Sequence, residues 1–275
     1  MRVAEPVGSS WKARLSLGFA ESEGKTVLVR RESDGPLVVQ KPLYPEGPQT
    51  CHAIVVHPPG GIAGGDGLEL RVAGGARTAA LLTTPGAAKW YRSAGPWAAQ
   101  RLVFEADGVL EWLPRETIVF DGALADLRCD IRLGAEAAFI GWDVVCLGRT
   151  ASGERFRRGR LKLETRLSRE GRMQWLERGR VDGDGAHLRS PAALSGHTVF
   201  GTLLAAGKGV TRDLLAACRA EAGDAALTLL PPDLVVARYL GDSSEQAMQC
   251  FARLWRVLRP AVAGRAAATP RIWST

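Results

Sequence analysis

Apolar and polar residues alternate strictly along much of the first two-thirds of the chain. In "WKARLSLGF", Trp11, Ala13, Leu15, Leu17 and Phe19 share one face, and Lys12, Arg14 and Ser16 the other. "ADLRCDIRL" repeats the pattern, with Ala125, Leu127, Cys129, Ile131 and Leu133 opposed to Asp126, Arg128, Asp130 and Arg132. A period of two sends successive side chains to opposite faces of an extended chain, so both segments predict half-buried strands. "TVLVRR", "LELRV", "RLVFEA" and "RLKLETRLS" predict more strands, punctuated by Gly, Pro, Asp and Ser. "AFIGWDVVCL" is apolar nearly throughout and predicts a strand covered on both faces, with Asp143 as its exception.

Helical spacing enters only late. Thr211 to Ala222 carries a threonine at the N-cap position and an apolar stripe. Ser243 to Leu258 opens with a Ser243-x-x-Gln246 capping box. It then aligns Met248, Phe251, Ala252, Trp255 and Leu258, and is expected to stop at Pro260. Strands first and helices after predict a mainly β fold with two helices in the C-terminal third. No internal repeat of fixed length stands out, and 275 residues suit one core, so residues 1–275 are read as a single domain.

Charge and cysteine content narrow the possibilities. The net charge of +7 concentrates between Arg149 and Arg180, where eleven Arg/Lys face four Glu. Such a stripe is either the solvated face of long strands or a basic surface for an acidic partner or nucleic acid. A β-rich nucleic-acid-binding protein using this stripe is therefore the alternative functional reading. The five cysteines are scattered and never form C-x-x-C, which argues against a disulfide framework or a zinc ribbon and for core packing. No apolar run has transmembrane length, and the N-terminus lacks a signal-peptide core, so a cytoplasmic protein is expected.

Familiar catalytic motifs are missing. The glycine-rich stretch "HPPGGIAGGDGL" (57–68) lacks the third glycine and the βαβ setting of a dinucleotide fingerprint. Before Gly24-Lys25-Thr26, five residues separate the glycines where a P-loop requires four. There is no G-x-S-x-G elbow and no H-E-x-x-H, and only four histidines are present. "CHAIVVH" holds three possible metal ligands, but strand alternation divides them between two faces.

Several longer blocks are more distinctive: "HPPGGIAGGDGLEL" (57–70), "LLTTPGAAKWYRS" (81–93), "LEWLPRETIVFDGA" (110–123), "GWDVVCLGRTASGERF" (141–156) and "PRIWST" (270–275). In this order they resemble the UreD (UreH) family of urease accessory proteins across essentially the whole chain. The motif positions are His57, Pro58, Pro59, Gly60, Gly61, Gly64, Gly65, Thr83, Thr84, Pro85, Lys89, Tyr91, Arg92, Glu111, Trp112, Pro114, Glu116, Asp121 and Gly122. Gly67 and Arg115 depart from the family's usual residues. The resemblance implies an irregular β-helix-like stack of sheets and a scaffold that is not an enzyme. It also implies partnership with UreF, with the GTPase UreG through UreF, and with apo-urease, so that nickel reaches the urease site. No cofactor is expected to bind permanently; nickel would be in transit.

Weak holding suits that task, because imidazole and thiolate sets bind nickel tightly while scattered oxygens let it move. The candidate path carboxylates are Asp66, at the end of the glycine turn, Asp143, in its apolar strand, and Glu177, in "WLERGRV". Asp66 and Glu177 have plainer readings, a turn cap and an ion pair with Arg178 or Arg180, while Asp143 as a buried carboxylate needs a partner or a wet cavity. Trp255, Arg271 and Trp273 are candidate partner contacts, since tryptophan and arginine often anchor interfaces. For Trp255, packing of helix on sheet is the stronger expectation.

Overall fold

The alternating segments become strands that wind into a coil. The computed structural model describes residues 10–274; residues 1–9 and 275, which the single-domain expectation also covers, lie outside the described residues. An antiparallel hairpin of β1 (Lys12–Ser22) and β2 (Lys25–Asp34) comes first, followed by β3 (Val38–Val39). Gly24-Lys25-Thr26 sits at that hairpin's turn and its exit, which confirms that its likeness to a P-loop is coincidental.

The coil has three sides. Its first turn is β4 (Cys51–Val56), β5 (Gly61–Ile62) and β6 (Gly67–Gly74), and its second is β7 (Ala79–Thr83), β8 (Ala88–Trp90) and β9 (Ala98–Ala106). The third is β10 (Val109–Leu113), β11 (Thr117–Val119) and β12 (Leu124–Leu133). In the fourth, β13 (Ala138–Leu147) runs straight along two sides and β14 (Arg160–Arg169) supplies the third. Equivalent strands of successive turns pair in parallel. β15 (Arg172–Asp182) then closes one sheet, while β16 (Val199–Ala206), β17 (Ala226–Leu230) and β18 (Leu234–Gly241) extend the other.

A repeat is therefore present that the sequence does not reveal. Ala53, Leu82, Trp112 and Gly141 form one row across the coil, and Gly61, Lys89, Ile118 and Cys146 another. Between these two rows the chain spends seven, six, five and four residues in successive turns. One corner of the coil thus tapers from a loose loop to a continuous strand. A repeat whose corner shortens at every turn has no fixed period to detect.

Two cores result. Odd-numbered β13 residues Phe139, Val145 and Leu147 face the coil interior, packing with Leu15, Leu70, Phe104 and Leu127. Even-numbered Ile140, Trp142, Val144 and Cys146 face a second core under α2 (Arg212–Glu221) and α3 (Ser244–Ala263). This is the strand covered on both faces that the apolar run predicts. All five cysteines are free, four of them buried and Cys129 partly so, in keeping with a packing role.

The helices match expectation in two respects and depart from it in two. Thr211 caps α2 by accepting the Leu214 N–H at 3.1 Å, and Ser243 caps α3 by accepting the Gln246 N–H at 3.2 Å. A further single-turn helix, α1 (Ala186–Arg189), has no counterpart in the sequence pattern, since four residues leave no periodic signature. Helix α3 also runs through Pro260 to Ala263, ending at Gly264 with φ +69°. Proline removes one backbone bond from the helix, but Val262 and Ala263 beyond it are buried and keep the last turn in place. Among the described residues no helix is long and apolar enough to cross a membrane.

Candidate functional site: an internal cavity beside the tapering corner

The glycine-rich stretch forms the widest level of this corner. Gly60 and Gly65 have φ of +70° and +94°, a left-handed conformation that favours glycine. At Gly61 the ring of Tyr91 lies so close that an added Cβ would stand 1.9 Å from its Cε2. Asp66, only 4% exposed, accepts the Ala63 N–H at 2.8 Å through Oδ2 and the Trp11 N–H at 3.2 Å through Oδ1. Both oxygens are thus used by backbone, tying the start of β1 to the loop. Asp66→Ala is expected to destabilise the chain by about 1–3 kcal/mol through the orphaned N–H groups; thermal unfolding measures this.

Above the loop lies a cavity of about 380 Å³, lined by the coil's strands and open at the corner where Gly60, Gly86 and Lys89 are exposed. His57 and Lys89 line it on the broad side, Asp143 and Glu177 at its far end, and Asp66 is not part of its wall. The His57 ring packs at a 44° tilt against Trp11, with centroids 4.6 Å apart. Burial pushes the His57 pKa down, with the Asp66 charge opposing, which favours the neutral imidazole.

The far end is a polar row within apolar strands. Asp143 stands opposite Thr202 on β16, and Thr202 opposite Arg238 on β18. The Thr117 hydroxyl lies 3.4 Å from Asp143 Oδ1. Glu177, reaching over from β15 in the other sheet, accepts the Thr202 hydroxyl at 3.2 Å and binds Arg238 Nη2 at 2.9 Å. Its partner is therefore Arg238 and neither Arg178 nor Arg180, which pair with Glu164 and Asp182. Burial, joined by the nearby Glu177 charge, raises the Asp143 carboxyl to about 6. Among the described residues no group of three or more His, Cys, Asp or Glu is arranged to hold a metal ion.

The remaining motif positions fasten the corners and turns. Thr83 donates to the Leu113 carbonyl at 2.6 Å, and Thr84 Oγ1 accepts the Arg115 N–H at 2.9 Å. The Pro114 carbonyl accepts Trp142 Nε1 at 2.9 Å. Trp112 is 5.5 Å from Phe104, centroid to centroid, within the coil core. Asp121 accepts the backbone N–H groups of Arg157 and Arg158 and the Arg158 side chain, so its pKa is held below the usual range despite partial burial. Tyr91 meets Phe120 edge-on at 4.9 Å, while Arg92 packs beside Gly122, whose φ is +83°. Pro58, Pro59, Pro85 and Lys89 are exposed around the corner, and Gly64 is pressed against Ser93. Glu116 pairs loosely with Arg115 at 3.7 Å.

Glu111 has a different surrounding, which the sequence hides. It is 1% exposed and receives Arg259 Nε at 2.9 Å and Trp255 Nε1 at 2.6 Å. Arg259, itself fully buried, also holds Glu46 at 2.8 Å, and Glu46 meets His52 Nε2 at 2.5 Å. Trp255 is 0% exposed and bonds within the domain, in keeping with the stronger expectation of helix-on-sheet packing, so as a candidate partner contact it is corrected. Trp273 likewise docks inward, 5.8 Å from Trp142 and 5.9 Å from Trp255, and gives its indole N–H to Thr83 at 2.8 Å. Only Arg271 of the three remains exposed.

The Arg149–Arg180 stripe is mostly neutralised in place. Seven of its eleven cations, including Arg149, Arg158, Arg160, Arg169 and Arg180, form ion pairs with carboxylates. A surface already paired releases few counterions on meeting a phosphate backbone, which weakens the nucleic-acid reading.

The chain is thus a tapering β coil backed by two helices, with a carboxylate-bearing cavity lined by its strands. The family model described as UreD urease accessory protein matches residues 12–274. The chain is 52% identical to the urease accessory protein UreD of Azoarcus sp. (strain BH72), covering 100% of this chain and 98% of that protein. It is 50% identical to the UreD proteins of Dechloromonas aromatica (strain RCB), over 99% and 98% of the two chains, and of Pseudomonas aeruginosa PAO1, over 97% and 96%. The chain belongs to the UreD family of urease accessory proteins.

Proposed function

We propose that the chain is a non-catalytic scaffold that docks on apo-urease together with UreF and, through UreF, the GTPase UreG. Nickel then passes through its internal cavity toward the urease active site. The observation that carries this reading is the cavity itself, with Asp143 and Glu177 at one end. Two carboxylates supported by the threonine hydroxyls of Thr117 and Thr202 offer oxygen donors that attract a divalent cation yet bind it loosely. A transit site should lack a closed set of imidazoles and thiolates, and this arrangement suits one.

Asp66 belongs to the same proposal in a supporting place. Its carboxylate fixes the loop at the broad end, beside His57, instead of facing the cavity. Nickel is cargo here and not a resident group, GTP hydrolysis belongs to UreG, and the cytoplasmic location expected from the sequence is part of the proposal. Deleting the gene from cells that express the urease cluster is the test. Urease of normal abundance but low nickel content supports the reading, whereas nickel-replete urease in the deletion strain overturns it.

A further inference from the structure

We infer that Arg238 is a release gate for the divalent cation, a step that rests on the conduit reading above. Its guanidinium holds Glu177 Oε1 at 2.9 Å, so it occupies the carboxylate that a cation at the Asp143 end would use. Glu177 is anchored at its other oxygen by Thr202, the residue directly opposite Asp143. Asp143, Thr202 and Arg238 are consecutive across β13, β16 and β18, and Glu177 bridges the last two from the opposing sheet.

Charge explains the gate. With Arg238 in place, ionised Asp143 and Glu177 together with the guanidinium carry one net negative charge; with Arg238 swung out, the carboxylates carry two. A divalent cation is drawn in more strongly by the second state than by the first, at contact distances where Coulomb attraction dominates. The arginine is free to make that movement: its side chain is 52% exposed, and it also lies over the Trp175 ring, 5.5 Å away. Rotamer changes of such an exposed side chain are fast compared with protein assembly. The cation therefore has a competitor tethered at the point of release, which keeps dwell times short without lowering attraction along the cavity. Other charged groups lining this region are already engaged, Glu164 by Arg166 and Arg178, and Arg128 by Asp126.

Ni²⁺ binding to the purified chain, measured by calorimetry, tests this with Arg238→Gln, Arg238→Lys and the double variant Arg238→Gln/Glu177→Gln. Arg238→Gln is expected to bind Ni²⁺ about tenfold tighter, the loss of one contact-range charge being of that order. Arg238→Lys should stay near wild type, and the double variant should lose the gain. In transfer assays with UreF, UreG and apo-urease, Arg238→Gln should release nickel more slowly. Wild-type affinity in Arg238→Gln, with melting behaviour unchanged, overturns the gate. If at the same time Asp143→Asn impairs urease loading, the gate alone has failed and the conduit stands. Normal loading by Asp143→Asn removes the conduit and the gate with it.

Discussion

Replacing Arg259 by leucine is expected to lower stability by about 3–5 kcal/mol, the usual result of removing one partner from a buried ion pair. The consequence is large because Arg259 serves two carboxylates. Its loss leaves Glu111, at 1% exposure, without a counter-charge, and frees Glu46 from the same guanidinium. For a chain of this size the melting temperature should fall by on the order of 10 °C. The pair joins residues 148 positions apart and pins α3 to the coil, so the second core should loosen first. Burial pushes the Glu111 pKa up and Arg259 is the main opposition. Without the arginine that rise grows, so the variant's deficit should be greatest at high pH and shrink as acid protonates Glu111. Glu111→Gln/Arg259→Met, which removes both charges, should recover much of the loss. A single variant as stable as wild type contradicts this role.

Asp143→Asn is expected to stabilise the metal-free chain, by about 3 kcal/mol at pH 8 and by about 0.5 kcal/mol near pH 4. The sign follows from the direction in which burial moves this carboxyl. Asp143 titrates at about 6 in the fold against 3.8 ordinarily, so folding favours its protonated form. Ionising it inside the cavity costs stability as pH rises through that window, about 1.4 kcal/mol for each tenfold change in proton affinity between the folded and unfolded chain. Asparagine keeps the oxygen that faces the Thr117 hydroxyl and omits the charge. Denaturant melts in the presence of a chelator, taken at pH 4, 6 and 8, read the difference directly.

How far these features are legible in the sequence depends on their range. Strict alternation in "WKARLSLGF" and "ADLRCDIRL" is enough for the strands, because burial on one face of a sheet imposes a local period. The same reasoning picks out Asp143, a charge where the pattern allows none. Thr202 in "GTLLAA" and Arg238 in "VVARYL" break their apolar strands in the same way, a signal available beside that of Asp143. Arg259 carries a comparable signal, one helical turn from Trp255 on the apolar side of α3. Its partners do not, since Glu46 and Glu111 reach it only through the coil's closure. For Glu177, sequence distance favours the neighbouring arginines, whereas the fold brings Arg238 from another sheet. The coil repeat is hidden for a reason visible in the register: a corner that loses a residue at each turn erases its own period.

The most direct test of the central claim is the nickel content of urease matured with the Asp143→Asn/Glu177→Gln chain. These replacements remove both charges at the cavity's end while keeping its shape, so the assembly with UreF, UreG and apo-urease should still co-purify. The account predicts an intact assembly and urease holding only a small fraction of its normal nickel. Fully nickel-loaded urease from the double variant would show that the metal does not travel through this cavity.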